Sequence, residues 1–106
     1  MFEEQRHSVR KPLKVKALFG VEGQPPAPAR TLDMNANGIS LTMAGPAQPG
    51  VVGTVKFDIF HEGKAHPVTA RVKVAYCIFS GGEFKLGLSF VNLDLAAMSA
   101  VAKFLK

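Results

Sequence analysis

Apolar and polar residues alternate along most of the chain, and a period of two indicates β-strands rather than helices. The alternating segments are residues 13–19, 39–43, 51–60, 68–79 and 84–90, with a further strand expected around residues 29–33. In the longest segment the predicted inward positions are Val68, Ala70, Val72, Val74, Tyr76 and Ile78. About six short strands separated by turn residues are typical of a β-sandwich or a β-barrel.

Turn-forming residues connect these strands over short distances. Glu62-Gly63 and residues 80–82 are expected to form hairpin turns, and residues 45–50 a loop. The proline-rich segment 24–28 is not expected to continue a central strand, because proline has no N–H to donate to the ladder. With only local hairpins available, the sheet should be largely antiparallel, and closure into a barrel would remove exposed edges.

The period changes to that of a helix only at the end of the chain. Either Asn92 or Asp94 can serve as the N-cap. The predicted apolar face of this helix consists of Leu95, Met98, Val101, Ala102 and Leu105. We expect the helix to cover one end of the barrel.

Composition restricts the class of protein. The 106 residues suffice for one domain, and 47% apolar with 20% charged residues is the balance of a soluble globular protein. The net charge of +5 favours an anionic partner. Cys77 is the single cysteine, which excludes an internal disulfide and a cysteine-based metal site. Since no apolar run reaches bilayer length and the N-terminus has no signal-peptide pattern, we expect a cytoplasmic protein without membrane insertion.

Two arginines four residues apart, Arg6 and Arg10, stand just before the first predicted strand. Paired guanidinium groups can make bidentate hydrogen bonds to phosphate or to the O6/N7 edge of guanine, and their planes can stack on a base. A solvated basic tail would show the same spacing, so the pair alone does not identify a site.

A second polar motif, residues 33–38, leads directly into the strand at residues 39–43. Asp33 and Asn35 carry side chains that form directional hydrogen bonds, and Gly38 can adopt conformations that other residues avoid. These residue types also form ordinary turns. The motif alone is therefore no more specific than the arginine pair.

Together and in this order, the two motifs resemble the signature of the PilZ domain family, an R-x-x-x-R followed by D/N-x-S-x-x-G. Arg71-Val72 resembles the family's R-V strand and residues 87–90 its late G-x-x-F element, so the resemblance extends from Arg6 to about Leu105. It implies an all-β fold, a six-stranded antiparallel β-barrel with a C-terminal α-helix, formed by residues 12–106. Residues 1–11 would be a mobile basic arm.

The resemblance also implies a function, binding of the bacterial second messenger cyclic di-GMP on the outer surface of the barrel. By this carry-over, Arg6 and Arg10 would hold phosphates and guanine, while Asp33, Asn35 and Gly38 would meet a guanine edge and the ligand backbone. The expected protein is a receptor without enzymatic activity, cofactor or metal. It would order its arm on binding cyclic di-GMP and signal to an unidentified downstream protein.

Two positions depart from the family pattern. Asn35 stands where the family usually has serine, which puts the affinity or the contact at that position in question. Gln5 stands where many members have another arginine, which favours one bound nucleotide over a stacked pair.

Three other interpretations remain open at this point. A PilZ-like domain that docks a protein without binding nucleotide is the first. The second is a basic barrel for single-stranded nucleic acid, although the chain has no tryptophan and one tyrosine to offer for stacking. An enzyme is the third, and the scattered His7, His61 and His66 show no spacing typical of zinc ligands. We therefore expect no nucleic-acid polymer as partner.

Overall fold

A computed structural model describes residues 10–106 of the chain. Its elements are β1 (Lys11–Pro12), β2 (Lys16–Val21), β3 (Ala27–Met34), β4 (Gly38–Met43), β5 (Val52–His61), β6 (Lys64–Ser80), β7 (Glu83–Asn92) and α1 (Leu95–Leu105). The strands lie in the order β1-β3-β2-β5-β6-β7-β4, and β4 also pairs with β3. Strands β2 to β7 thus form a closed antiparallel barrel, with β1 added at its side. This confirms the predicted fold.

The core fills the inside of the barrel because strand alternation directs one apolar file from each strand inward. The inward side chains of β4, β5 and β7 are the predicted ones, and the fully or nearly fully buried members are Ile39, Leu41, Val55, Phe57, Ile59, Leu86 and Leu88. On β2, Ala17 and Phe19 are buried as predicted. The strand itself begins at Lys16, three residues later than the alternation suggested.

Buried Thr31 fixes the chain that enters the barrel from β1. Its hydroxyl donates to the Leu13 carbonyl and accepts a 2.9 Å hydrogen bond from the Val15 N–H. The Leu13 N–H donates to the Leu32 carbonyl at 3.0 Å. These bonds hold residues 13–15 along β3, so that β1 pairs with the end of β3 that carries Asp33.

Both predicted hairpin turns are present. Glu62 and Gly63 have φ of 54° and 77°, and Gly81 and Gly82 have φ of 62° and 85°. Positive φ at both central residues is the geometry that matches the twist of a two-residue hairpin.

The expectation for the proline-rich segment was wrong at its end, because β3 already begins at Ala27 and includes Pro28. Pro28 pairs with Leu18 of β2, but the pairing of β3 with β4 begins only at Ala29. Because Pro28 lies outside the part of β3 that pairs with β4, the N–H that proline lacks is not needed for a hydrogen bond between these two strands.

The predicted inward file of β6 is correct from Val68 to Val74 and wrong beyond it. Tyr76 and Ile78 lie on the outside, with 38% and 53% of their surface exposed. The register with β7 shifts between Val74 and Tyr76, which is a β-bulge. One extra residue on β6 reverses the alternation for the rest of the strand.

Helix α1 begins as predicted, with Asp94 as its N-cap accepting a 2.8 Å hydrogen bond from the Ala97 N–H. The helix packs against β5 and β6. At its other end, the Lys11 ammonium donates to the carbonyls of Phe104 and Lys106 at 3.1 and 3.0 Å. Strand β1 is thereby attached to the end of the helix. Within residues 10–106 no helix has the length and apolar character to cross a membrane.

The predicted inward face of α1 was partly wrong. Val101 is buried as expected, but the second buried residue is Ala97, while Leu95 and Met98 are 81% and 50% exposed. A small side chain at Ala97 allows the helix axis to approach the barrel closely. That approach rotates the larger side chains of the first turn towards solvent.

Residues 1–9 lie outside the described residues, so the predicted mobile arm stays a prediction there. Its last two residues, Arg10 and Lys11, are described, and Lys11 pairs with Met34 in the β1–β3 ladder.

Substitution of two isoleucines, one buried and one exposed, tests which residues of β5 and β6 face the core. Replacing Ile59, which is fully buried, with alanine should lower the free energy of unfolding by about 2–5 kcal/mol, because it leaves a cavity in the barrel. Ile78→Ala is the matched control and should change it by less than about 0.5 kcal/mol. Urea unfolding measures both values. Comparable losses for the two variants would contradict the outward position of Ile78.

Candidate ligand-binding site

The turn between β3 and β4 is built around the side chain of Asn35. Its Oδ1 accepts hydrogen bonds from the N–H groups of Asn37 and Gly38 at 2.8 and 2.9 Å, and its own N–H donates to the Gly38 carbonyl at 2.9 Å. Asn35 is only 5% exposed. Asparagine is favoured in such turns because its side chain can replace a backbone acceptor. The oxygen expected to meet a guanine edge is thus already engaged in shaping the turn.

Gly38 places the turn against β7. It pairs with Ser89, and a Cβ at position 38 would overlap the carbonyl oxygen of Leu88. The Phe90 N–H donates to the Asn37 carbonyl at 2.8 Å on the same side. Gly38 is therefore required by a close approach of two backbones.

Arg10 lies across the ends of β3 and β4. Its Nε donates to Asp33 Oδ1 at 2.6 Å, and its Nη2 donates to Ser40 Oγ at 2.9 Å. The side chains of Arg10 and Asp33 are 42% and 32% exposed, so this ion pair adds little to stability. Two directional bonds from a rigid planar group nevertheless fix the orientation of the guanidinium.

One row of outward-facing positions runs across four neighbouring strands. Asp33 pairs with Ser40, Ser40 with Gly87, and Gly87 with Tyr76. Arg10 spans the first two positions of this row. The row therefore begins with a carboxylate and a cation and ends with an aromatic ring.

A small cleft of about 120 Å³ lies beside this row. Its lining residues are Arg10, Asn35, Asn37, Gly38, Ala75, Tyr76, Gly87, Leu88 and Ser89. Pockets for small molecules typically measure about 300–1,000 Å³. The cleft is thus too small to enclose a complete small-molecule ligand.

Two lysines flank the row on the outer face of the barrel. Lys73 pairs with Ser89, and Lys85 pairs with Thr42. Ser89 and Lys85 are each two residues from Gly87, and residues so spaced share one face of a strand. The surroundings of the cleft are therefore positively charged.

Four of the five predicted site residues come together in this region, namely Arg10, Asp33, Asn35 and Gly38. Arg6 lies outside the described residues, so its role stays a prediction. A larger cleft of about 720 Å³ lies on another part of the barrel and includes Lys16, Arg30 and Lys56, but none of the predicted site residues.

Sequence reasoning did not assign Ser40, Gly87 or Tyr76 to the site, although Gly87 begins the segment that resembles the G-x-x-F element. Ser40 could have been found, because it occupies the polar face of the strand that starts at Gly38. Tyr76 could not, since the alternation assigned it to the core and only the bulge turns it outward.

The sequence was compared with models of protein families, and the structure with solved structures. A model of the PilZ domain family matches residues 4–106. The structure of the Bacillus subtilis inhibitor of motility (MotI/DgrA) is similar with a TM-score of 0.79 at 14% sequence identity, over 93% of this chain and 48% of that chain. The Borreliella burgdorferi PlzA protein in complex with c-di-GMP is similar with a TM-score of 0.60 at 14% identity, over 86% and 32%.

A third similar structure is a tetrameric PilZ domain from Xanthomonas campestris, with a TM-score of 0.70 at 13% identity, over 92% of this chain and 86% of that chain. The chain thus spans less than half of the first two proteins and most of the third. At these identities the likeness shows a shared fold. A search of curated protein sequences returned no significant match.

Two glycines test the close approach at the turn. Gly38→Ala should lower the free energy of unfolding by about 1–3 kcal/mol, because the new methyl group has to displace the β7 backbone. Gly45→Ala is the matched control, since a Cβ there would meet no atom within 4 Å. Thermal or urea unfolding of both variants measures the difference, and equal stabilities would contradict the close approach.

Proposed function

Since the chain belongs to the PilZ domain family, we propose that it is a receptor for cyclic di-GMP and binds it around Arg10. The observation that carries the proposal is the guanidinium held between Asp33 and Ser40, next to the turn at residues 35–38. The similar PlzA structure contains this ligand, which supports the choice. A doubly anionic nucleotide with two purines requires a cation, directional polar groups and flat surfaces.

The chemistry of Arg10 fits such a ligand. Nε and Nη2 each supply one donor to the protein, and a guanidinium carries five N–H donors in all. Its other nitrogen atom can bind a phosphate oxygen or the O6/N7 edge of guanine. Asp33 and Ser40 would then act by holding Arg10 in a fixed orientation.

The charge around the cleft supports the proposal as well. Lys73 and Lys85 flank the row, and the chain carries a net charge of +5. Surface charges of one sign raise the local concentration of an oppositely charged ligand and its association rate.

The proposal includes an output through a protein partner rather than through catalysis. The described residues form one side of the cleft, and a ligand seated there would leave part of its surface uncovered. We expect the arm that carries Arg6 to cover it, and the combined surface of arm, ligand and barrel to contact the downstream protein.

Calorimetric titration with cyclic di-GMP, with GTP as the control ligand, tests the receptor function. Arg10→Ala should weaken binding at least about tenfold, because charge-assisted hydrogen bonds contribute about 1.5–3 kcal/mol each. The free energy of unfolding should change by less than about 1 kcal/mol. Arg71→Ala is the matched control, since Arg71 pairs with Glu22 elsewhere on the barrel. Its affinity should equal that of the wild type.

Two results would contradict the receptor function. One is the absence of heat for the wild type at high ligand concentration, which would favour the docking module without nucleotide. The other is equal weakening by Arg10→Ala and Arg71→Ala, which would indicate a general charge effect.

Hydrogen exchange tests the proposed role of the arm. At saturating cyclic di-GMP, amides of residues 1–9 should exchange more slowly than in the free protein, because a ligand held by Arg6 and Arg10 joins the arm to the turn. Amides of strand β5, which pairs with β2 on one side and β6 on the other, serve as the internal control and should not change. Unchanged exchange in residues 1–9 at saturation would rule out ordering of the arm while leaving ligand binding intact.

A further inference from the structure

Tyr76 lies on the outer face of the barrel because of the bulge in β6. Val74 pairs with Leu88, and both are buried. A regular strand would direct Tyr76 to the same side as Val74, but Tyr76 pairs with Gly87, the next residue along β7. Residues 75 and 76 of β6 thus lie opposite a single residue of β7, Gly87. As a result, the tyrosine ring lies in the same outward-facing row as Asp33, Ser40 and Gly87.

The Tyr76 ring packs directly over the backbone of Gly87. A Cβ at position 87 would overlap Cε2 of Tyr76 and would lie 2.6 and 2.7 Å from its Cζ and Cδ2. Three consecutive ring atoms so close to one point mean that the ring covers the glycine. Any side chain at position 87 would displace the ring. Tyr76 therefore leans across β7 towards Ser40 while 38% of its surface stays exposed.

The ring and the Arg10 guanidinium lie close together along the same cleft. Both line the cleft of about 120 Å³, and Arg10 is held there by Ser40. Because the ring covers Gly87, which pairs with Ser40, it lies about one strand spacing, roughly 5 Å, from that serine. The outer face of the ring is accessible to a flat group from solvent, since 38% of the side chain is exposed.

We propose that Tyr76 is the surface on which a guanine base of the bound nucleotide stacks, with Arg10 beside that base. The inference rests on the proposed function, because it names the part of that site that takes the base. Aromatic rings bind bases face to face, and a guanidinium beside a guanine can bind its O6/N7 edge. Tyr76 would thus select a ligand that carries a base, while the charged groups recognise phosphate.

The chain offers a direct readout, because it contains one tyrosine and no tryptophan. Intrinsic tyrosine emission therefore reports on Tyr76 alone. Titration with cyclic di-GMP should quench it with the same midpoint as the calorimetric curve, after correction with free tyrosine amide at equal absorbance. Inorganic phosphate at the same charge concentration should leave the emission unchanged.

Variants at position 76 give the second readout. Tyr76→Ala should weaken calorimetric binding about five- to a hundredfold, the usual effect of removing a stacking ring. Tyr76→Phe keeps a flat ring and should retain the wild-type affinity within about twofold. Phe79→Ala is the matched control, an exposed aromatic on the same strand that contacts Phe84 instead of the cleft. It should bind like the wild type.

The outcomes separate this inference from the proposed function. Binding by the wild type with unchanged tyrosine emission and an unchanged affinity of Tyr76→Ala would overturn the stacking role alone. No heat with the wild type would overturn both. If Tyr76→Ala does not fold, the emission of the wild type and the affinity of Tyr76→Phe decide the question.

Discussion

The approach of the Gly38 backbone to the Leu88 carbonyl determines where the polar turn lies on the barrel. Strand β4 starts at this glycine and pairs with β7 on one side and with β3 on the other, so the same contact lies at the closure of the sheet. A side chain at position 38 would push β4 away from β7. Such a shift would also move Ser40 relative to Gly87, and the closed barrel and the candidate site therefore depend on one steric condition.

The polar side chains of the site are held in two different ways. Asn35 is engaged by the backbone of its own turn, and Arg10 is directed by an acid and a hydroxyl on two paired strands. Next to Arg10, Lys11 holds the last carbonyls of α1. Two adjacent residues thus connect the site and the end of the helix, so the orientation of β1 is determined at both places.

Alternation and turn chemistry allowed most of this fold to be predicted from the sequence. Inward-facing residues such as Val55 to Ile59 and the hairpin at Glu62-Gly63 follow from local rules, and residues 33–38 form a turn that leads into β4, as their composition indicated. These features could be predicted because each depends on a few neighbouring residues.

The incorrect predictions concern features that are decided by distant contacts. The bulge before Tyr76 has no distinctive composition, and its existence depends on the register of β6 against β7. The rotation of α1 depends on the shape of the barrel end, which favours Ala97 over the larger Leu95. Ser40 was identified as a strand residue, but its bond to Arg10 joins residues thirty positions apart.

The bulge also determines which side chain β6 presents opposite Gly87. If β6 kept its length but lost the bulge, Ala75 would pair with Gly87, and Tyr76 would face inward opposite Leu86. Deleting Ala75 would instead leave Tyr76 directly after the inward Val74, so Tyr76 would stay outside and Cys77 inside. A related barrel without the extra residue would therefore carry its outward ring one position earlier along the strand, a shift that comparison at fixed residue spacing would overlook.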